Sequence, residues 1–579
     1  MGVLIGGAML GCGGGGNGAD AGLTPTADAQ VCTPSCDGLT CGSDGCGGLC
    51  GTCSGDELCS AGTCAPIAAG EIVVDITSAA HPIHPEIYGV AFANKAALAT
   101  LGATVNRWGG NGVTLYNWQL DVGNTASDWY YENIPNNAGD PTHGTAAYKS
   151  AADRFVIDNQ AAGVDSLIVV PTIGWTAKDR VTQHPYSCGF PTEVYGAQES
   201  TDPYDAHCGN GRSPSGQELT PDPTHVATAA TPTFEGQWVS HLVSAFGAAA
   251  QGGVRWYALD NEMMLWSSTH RDVHPAPVTY DEVWNATLAY APAIRAADPG
   301  AKILGYGSWG VLDLFNSGKD TVDGLSDQHA HGDVLLAPWY LDQLAAYERD
   351  HGVRLVDCLD IHYYPQGGDA LENTASLWDA TYPDPSWVNG WLGEPIQLLP
   401  RVSGWLRDHN PNVGMCITEY NFNLNDADNP IAALAEAEAL GLFGKFGVRL
   451  ATFWTTPIED DGTHHAAAWG FQLMRNYDGA GAHFADVSVG AASSVDGVVA
   501  YAATSASGDA TTVLVINKAN AARTGTLRLP GFSASVAHRW SFTAGGSAIT
   551  HDADLGAQNG AFSVALPAHA MAMIVVPKG

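Results

Sequence analysis

The chain has 579 residues, of which 45% are hydrophobic, and its 24 Lys and Arg against 60 Asp and Glu give a formal net charge of −36. This length exceeds what one hydrophobic core usually supports, so we expect two or more domains. The negative charge repels nucleic acid, anionic membrane surfaces and polyanionic sugars, so a neutral partner fits best. No apolar run reaches the length of a spanning helix, and we expect no integral membrane segment.

The first residues resemble an export signal. An apolar run over residues 3–10 leads to Cys12, as in bacterial lipoprotein signals whose cysteine is lipidated after cleavage, although the usual basic start is missing. We therefore expect an exported protein, extracellular or at the cell surface, with a lipid anchor at Cys12 as an open alternative. Residues 1–12 form this signal-like segment, and the Gly/Ala/Asp/Thr-rich residues 13–31 are predicted to be a flexible linker.

Eight cysteines crowd into residues 32–65. In an exported chain, this density predicts a small module held together by disulfides. The rival interpretation is a four-cysteine zinc site that uses Cys50 and Cys53. The segment contains no histidine and the expected compartment is oxidising, so disulfides are favoured. The pairing cannot be read from the sequence, and the simplest role is a spacer or a surface attachment.

Eight strand-like segments follow, separated by stretches long enough for helices. Each ends in polar or aromatic residues, and they cover residues 87–92, 103–111, 166–175, 255–262, 302–309, 358–365, 415–422 and 449–457. This alternation predicts a (β/α)8 TIM barrel with enlarged loops over residues 81–485. A doubly wound open sheet is the alternative, but no Gly-rich phosphate loop follows the first strand.

The pattern changes at about residue 486, where short alternating runs are divided by Gly, Ala, Ser and Asp without a helical period. These runs predict a β-sandwich. Residues 71–77 also alternate like a half-buried strand, yet they have no sheet of their own. We expect them to join the C-terminal strands, so that residues 70–80 and 486–579 form one sandwich domain. The predicted fold class is therefore α/β: a barrel with a sandwich, preceded by the cysteine-rich module.

Two of the predicted barrel strands end in a glutamate. Glu262 follows Asp260 and Asn261 at the end of the fourth strand, and Glu419 ends the seventh. The carboxyl ends of barrel strands carry chemistry. Hydrolysis of a glycosidic bond requires at least two carboxyl groups, and two strands would supply them here. Either glutamate alone is as well explained by a solvated strand end or an ion pair; the repeated pattern favours catalysis.

Several long and uncommon segments carry a resemblance to a known family. The segments are NRWGGNGVTLYNWQLDVGNTASDWYYENIP (106–135), YGAQESTDPYDAHCGNG (195–211), YALDNEMMLWSSTHRDVHP (257–275), DIHYYPQ (360–366), ITEYN (417–421) and RNYDG (475–479). Together they resemble glycoside hydrolase family 44, which comprises endo-acting β-1,4-glucanases and xyloglucanases with a barrel and a sandwich. The resemblance runs from about residue 72 to the end, and Met263 departs from it by replacing the usual Pro.

The resemblance implies a retaining hydrolase in which Glu262 is the acid/base and Glu419 the nucleophile. It also implies that Arg107 holds Glu419 charged and oriented, unless Arg107 is an ordinary ion-pair partner. Asn261 is expected to donate to the sugar 2-OH. His362 and Tyr364 lie two apart on the sixth strand and are expected to contact Glu419 or the sugar; a purely structural His362 is the alternative.

Further predicted substrate-binding residues lie at or just past strand ends, or in the long loop after the second strand. Indole rings there suit the apolar faces of sugars, and we expect about half of them to touch substrate. These residues are Trp108, Asn111, Trp129, Trp175, Trp309 and Trp454.

Four cysteines lie inside the predicted barrel. Cys188 and Cys208 bracket a long loop after the third strand, where a disulfide would stiffen one wall of the cleft. Cys358 and Cys416 open the sixth and seventh strands, where cross-strand disulfide geometry is poor, so we expect buried thiols.

We expect neither a catalytic metal nor a required cofactor. The histidine pairs in this region lack a third ligand at metal-site spacing; they are His270 with His274, and His464 with His465. A structural calcium ion is compatible with the sequence but not indicated, since the acidic run 459–461 fits a solvated loop better.

The leading hypothesis is a monomeric, retaining, endo-acting hydrolase of neutral β-1,4-glucan backbones of the xyloglucan or carboxymethylcellulose type. A xylanase or an arabinofuranosidase on the same fold is the alternative within enzymes. The alternative of another class is a catalytically silent surface protein that binds carbohydrate. The intact pair of glutamates, Glu262 and Glu419, argues against that last reading.

Overall fold

The computed structural model describes residues 35–136, 150–424 and 426–579, apart from residues 44, 46–48, 52, 54, 78 and 79. The predicted signal-like segment with Cys12 and the linker 13–31 lie outside these residues. No helix in the described part of the chain combines the length and the apolar character needed to cross a membrane.

Eight parallel strands close into a barrel, which confirms the predicted fold class. We number them barrel strands 1 to 8 in chain order. Strand 8 pairs with strand 1 and thereby closes the circle. Almost every residue of these strands is buried, which explains why they are nearly continuous apolar runs. The strands are Gly89–Ala91, Val105–Trp108, Asp165–Val170, Trp256–Leu259, Lys302–Ser308, Cys358–Tyr363, Gly414–Tyr420 and Leu450–Phe453.

One longer helix follows each strand and covers the barrel. The ends of these helices have common capping residues. The Thr279 side chain caps the start of the fourth helix by accepting a hydrogen bond from the Glu282 amide, and Gly163 ends the second helix in the left-handed region. These eight helices are Lys95–Leu101, Ala151–Ala162, Pro232–Phe246, Tyr280–Ala297, Leu336–His351, Leu398–His409, Ala432–Lys445 and Ala467–Arg475.

Short helices and strands decorate the loops between these units. The helices are Thr192–Tyr195, Trp266–Thr269, Asp320–Asp323, Ser326–Ala330, Ala370–Asn373 and Trp387–Leu392. The paired strands are Val122–Asn124 with Asn133–Pro135, and Trp175–Ala177 with Ala227–Ala229.

The remaining large sheet is a β-sandwich built from both ends of the described chain. Glu71–Asp75 pairs antiparallel with Val487–Ser493 and parallel with Arg523–Arg528, so the orphan strand does join the C-terminal strands as predicted. The first half of Val487–Ser493 pairs instead with Val498–Thr504, so this one strand belongs to both layers. The other strands are His81–Pro82, Ala510–Asn517, Val536–Thr543, Thr550–His551, Leu555–Gly556, Ala561–Leu566 and Ala570–Pro577.

One sandwich layer is buried on both faces because it lies between the other layer and the barrel. In Ala510–Asn517, Val513 and Val515 pack in the sandwich core, whereas Leu514 and Ile516 join the core of the barrel. A buried ion pair spans this boundary, with Lys518 Nζ 2.9 Å from Glu438 Oε2. The sandwich is thus firmly attached to the seventh barrel helix.

The cysteine-rich module contains two small hairpins, Gly42–Ser43 with Leu49–Gly51 and Glu57–Ser60 with Thr63–Pro66. Three disulfides hold its described residues together: Cys36–Cys50, Cys41–Cys59 and Cys53–Cys64. Cys32 and Cys46 lie outside the described residues. The Ser493 amide donates to the Gly55 carbonyl at 2.9 Å, which seats the module against the sandwich.

In the barrel, Cys188 and Cys208 are bridged, with their Cα atoms 5.9 Å apart. The expectation of free thiols at Cys358 and Cys416 is wrong, because they too form a disulfide, with Cα atoms 5.8 Å apart. In the parallel register Cys358 lies opposite Gly414, and Cys416 is two residues further along on the same face. The two cysteines therefore lie on the same face of neighbouring strands, and a Cα–Cα distance of 5.8 Å lies within the usual bridging range.

Candidate active site

The turn after barrel strand 4 is shaped by a buried carboxylate. Asp260 accepts hydrogen bonds from the Thr114 hydroxyl at 2.7 Å, the Ile173 amide at 3.1 Å and the Asn261 amide at 2.9 Å. Asp260 and Glu262 both have positive φ angles, 61° and 44°, in the left-handed region that costs an ordinary residue of order ~1 kcal/mol or more. The hydrogen bonds offset this cost, and the sharp turn directs Glu262 into the barrel mouth.

Glu419, at the end of barrel strand 7, has two strong hydrogen-bond donors. Arg107 Nη1 donates to its Oε1 at 2.7 Å, and the Tyr364 hydroxyl donates to its Oε2 at 2.7 Å. Arg107 is fully buried, and its second amino group donates to Asn261 Oδ1 at 2.9 Å. A single guanidinium therefore aligns the carboxylate of strand 7 with the residue that precedes Glu262.

His362 lies between the two glutamates. Its Nδ1 is 3.0 Å from Glu262 Oε1 and 3.5 Å from Glu419 Oε2. Carboxylate oxygens of Glu262 and Glu419 lie within 4.8 Å of one another in this group. Retaining glycosidases hold their two carboxyl groups about 5–5.5 Å apart, closer than inverting enzymes do, so this close pair favours testing a retaining mechanism.

The two glutamates titrate in opposite directions. Burial raises the pKa of Glu262, and the hydrogen bond between Glu262 and His362 only partly opposes this. Burial alone would also raise the pKa of Glu419, but His362 and Arg107, with the Tyr364 hydrogen bond, bring it below its ordinary value. The carboxyl group of Glu262 therefore tends to keep its proton while Glu419 stays ionised. A general acid and a nucleophile require these two protonation states.

Asn261 and Asn111 form a chain of amides along one side of the site. Asn261 Nδ2 donates to Asn111 Oδ1 at 3.1 Å, and Asn111 Nδ2 donates to Asp128 Oδ2 at 3.1 Å. The predicted contact of Asn261 with a sugar hydroxyl stays a prediction, and here its amide orients Arg107 and Asn111.

The predicted tryptophans fall into different environments. Trp108 is only 9% exposed and packs among Phe92, Phe155 and Tyr116, so its ring belongs mainly to the core. Trp454 lies 5.4 Å below the Arg107 guanidinium. Trp175, Trp309 and Trp454 are partly exposed, and Trp129 is 38% exposed with its ring 6.1 Å from Tyr204 on the bridged loop.

A groove opens beside Glu262 between the loops after barrel strands 5 and 6. Its lining includes Trp309, Tyr364 and Trp387. Trp309 and Trp387 are stacked with ring centres 6.5 Å apart, and Trp387 is 46% exposed. The sequence reasoning missed Trp387 because it lies on a short loop helix, Trp387–Leu392, rather than at a strand end. The pair of tryptophans four apart in that helix was the available signal.

The histidines considered as metal ligands are each engaged elsewhere or isolated. His274 Nε2 is 2.7 Å from Glu282 Oε1, and His465 lies between Asp428 and Glu459 at 2.9 and 2.7 Å. His270 is fully buried, and burial lowers its pKa to about 3. Among the described residues, the groupings with ligand geometry are three module cysteines already in disulfides and the Glu262–His362–Glu419 cluster. That the reaction needs no metal stays a prediction.

Comparison with known proteins places the chain in a family. The model of glycoside hydrolase family 44 matches residues 122–367. The crystal structure of CelM2, a bifunctional glucanase-xylanase from a metagenome library, is 36% identical, with 88% of this chain and 99% of that one covered and a TM-score of 0.80. The family 44 xyloglucanase of Paenibacillus polymyxa, solved with xyloglucan, is 25% identical over 88% of this chain and 99% of that one, with a TM-score of 0.72.

A curated relative is longer than this chain. The beta-mannanase/endoglucanase A of Caldicellulosiruptor saccharolyticus is 27% identical over 77% of this chain, which spans only 34% of that protein, about a third of its length. The similarity to CelM2 extends over the barrel and the sandwich together, and the family model covers the segment from the loop after barrel strand 2 to the end of strand 6. The chain therefore belongs to glycoside hydrolase family 44.

Proposed function

We propose that this protein is a retaining, endo-acting glycoside hydrolase that cleaves β-1,4-glucan backbones, with Glu419 as nucleophile and Glu262 as acid/base. The observation that carries the proposal is the pair of close carboxylates with opposite pKa shifts at the mouth of the barrel. Membership of family 44, and relatives named as glucanase, endoglucanase and xyloglucanase, support the substrate class.

In the first step, an oxygen of Glu419 attacks the anomeric carbon while the bond to the leaving sugar oxygen breaks. The proton of Glu262 moves to that oxygen, so the leaving chain departs as a neutral alcohol. Arg107 and Tyr364 keep Glu419 ionised and fix the orientation of its carboxylate, since each binds a different carboxylate oxygen at 2.7 Å.

In the second step, Glu262 is a carboxylate and takes a proton from water, which attacks the anomeric carbon of the glycosyl-enzyme and releases Glu419. Both substitutions invert, so the product keeps the β configuration. The positive charge of Arg107 near the reaction centre favours the return of Glu419 as a carboxylate.

The surroundings of the glutamates favour a long neutral chain. Trp309 and Trp387 line the groove beside Glu262, and Trp129 and Tyr204 form a second pair of neighbouring rings in the loops after barrel strands 2 and 3. Rings beside the glutamates suit the apolar faces of sugars in a chain that an endo-acting enzyme binds. The net charge of −36 favours neutral glucans over acidic polysaccharides.

Xylan is a second candidate substrate, because CelM2, at 36% identity, is a bifunctional glucanase-xylanase. Export to an oxidising compartment is part of the proposal as well. Its support is the five disulfides among the described residues, an arrangement rare in the cytosol of mesophiles.

The test is a product profile on xyloglucan, carboxymethylcellulose, glucomannan, lichenan and xylan. We expect a rapid fall in viscosity relative to reducing-sugar release on at least one β-glucan, and β-configured reducing ends in an early NMR spectrum. Initial products of α configuration would refute the retaining mechanism. Release of xylose oligomers alone would move the substrate class to xylan, and the absence of any release would support the carbohydrate-binding alternative.

A further inference from the structure

His362 has a different partner at each ring nitrogen and is fully buried. Its Nδ1 faces Glu262 Oε1 at 3.0 Å, and its Nε2 faces the Thr418 hydroxyl at 3.2 Å. Neutral imidazole carries one proton, so the partner of Nε2 decides which nitrogen presents a lone pair to Glu262.

The Thr418 hydroxyl is itself committed. It lies 2.7 Å from Asp360 Oδ1, and Asp360 is 1% exposed. Burial raises the pKa of Asp360, and His362, the Thr418 hydrogen bond and Arg107 oppose this. A hydroxyl has one proton to donate and Asp360 Oδ1 accepts it, so Thr418 turns its lone pairs to His362. It follows that the proton of His362 resides on Nε2, and that Nδ1 is the nitrogen that exchanges protons with Glu262.

We propose that Asp360 and Thr418 are positioning residues that hold the Nε2 proton of His362, so that Nδ1 and the Glu262 carboxyl share one proton. This inference rests on the assignment of Glu262 as acid/base in the proposed function. Neither Asp360 nor Thr418 touches the sugar in this account; both act through the imidazole. Asp360 was absent from the sequence predictions because it reads as an ordinary polar residue inside a strand.

This arrangement makes Glu262 a stronger base when it is ionised and keeps it protonated to a higher pH. When Glu262 has given its proton to the leaving oxygen, the lone pair of Nδ1 faces a carboxylate, and this repulsion is relieved when Glu262 takes a proton from water. If the Nε2 proton were free to move to Nδ1, the ring would instead donate to the Glu262 carboxylate and stabilise it. The pair would then lose its proton at a lower pH.

Other charged or titratable groups face the ring, but they are the same in the variants compared below. These groups are Glu262, Glu419, Arg107, Asp360 and Asp313. Burial on its own would lower the pKa of His362, and Glu419 and Glu262 raise it above its ordinary value, which agrees with a proton shared at Nδ1.

The experiment compares Thr418→Val, which removes the hydroxyl at nearly constant shape, with Thr418→Ser, which keeps it. The readout is the pH dependence of kcat/KM for a phenyl β-cellobioside, whose poor leaving group needs the acid, and for a 2,4-dinitrophenyl β-cellobioside, which does not. For Thr418→Val and the phenyl substrate, we expect the basic limb of the kcat/KM profile to move to lower pH by about one unit. The loss of one hydrogen bond to a charged group shifts a pKa by about that amount. Thr418→Ser should restore the wild-type limb, and the dinitrophenyl substrate should show no shift. An unchanged limb, or an equal loss on both substrates at every pH, would overturn the proposal.

A second measurement does not depend on catalytic activity. The ¹⁵N spectrum of histidine-labelled protein, with His362→Gln to assign the signal, should show Nε2 of His362 protonated throughout the titration. A neutral form protonated at Nδ1 would refute the proposal. If wild-type protein released no sugar from any glucan, the proposed function would fail, whereas this spectrum would still decide where the proton lies.

Discussion

Replacement of Glu262 by Ala separates the two chemical steps. The substitution removes the proton donor, whereas the contacts that hold Glu419 ionised, from Arg107 and Tyr364 at 2.7 Å each, come from other strands and stay in place. The nucleophile should therefore remain competent. General acid assistance is typically worth ~10²–10⁴-fold, or about 3–5 kcal/mol of barrier, so hydrolysis of polysaccharide should fall by that factor.

The assay uses a substrate that needs no acid. With 2,4-dinitrophenyl β-cellobioside, Glu262→Ala should show a burst of dinitrophenol and then a slow steady state, because the glycosyl-enzyme lacks its base. Azide needs no base, and it fits the space that the lost carboxylate leaves beside His362. We expect azide to accelerate the steady state and to give the β-cellobiosyl azide, with retained configuration.

Glu419→Ala is the matched control. It cannot form a glycosyl-enzyme, so any azide product should arise by one direct displacement and carry the α configuration. Exchanged outcomes for the two variants would reverse the assigned roles. Near wild-type hydrolysis of polysaccharide by both would show that Glu262 and Glu419 are not the reacting pair.

Three further predictions follow from individual contacts. Tyr364→Phe removes one hydrogen bond to the ionised Glu419, worth ~1.5–3 kcal/mol, so kcat/KM should fall about 10–100-fold with little change in thermal stability; an unaltered rate would contradict the contact. Replacing Cys358 and Cys416 together by Ser opens a bridge across 58 residues, for which chain entropy gives about 4 kcal/mol, and chemical denaturation should show a loss of that order unless the unfolded chain is already compact. Burial raises the pKa of Glu436 to about 8, above its ordinary 4.5. This group therefore makes the free energy of unfolding fall as the pH rises from about 4.5 to 8, by at most ~1.4 kcal/mol per pH unit. Glu436→Gln should flatten that dependence in urea titrations, and an identical slope would refute the raised pKa of Glu436.

The barrel was predictable because each of its strands is buried on both faces and reads as a short apolar run before a helix-length segment. The sandwich strand Glu71–Asp75 was predictable for the opposite reason, since its alternation requires a sheet that only the C-terminal runs could supply. The bridge between Cys358 and Cys416 was not, because it depends on a register that places Gly414 beside Cys358. Strand register along a barrel is a property of the closed sheet and has no local signal.

The site residues also divide into those that the sequence predicts and those that it does not. Glu262 and Glu419 stand at strand ends, where chain position alone places them at the barrel mouth. The burial of Trp108 depends on Phe92, Phe155 and Tyr116, which contact it from three other segments. The exposure of its ring could therefore not be predicted from its position at a strand end. Trp387 came from a loop helix whose direction is set by tertiary packing. Side chains whose role depends on which neighbours surround them are the ones that sequence patterns describe least well.

In the proposed mechanism, the charge balance at the barrel mouth favours Glu262 as the acid. Two ionised carboxylates within 4.8 Å in a buried site repel strongly, and one guanidinium, Arg107, is bound directly to Glu419. The site therefore retains one more proton, on Glu262 or on His362. Glu419 has two donors of its own and does not need it, whereas Glu262 has only the imidazole. The same asymmetry of hydrogen bonds that stabilises the buried cluster thus supports the proposal that Glu419 attacks and Glu262 protonates.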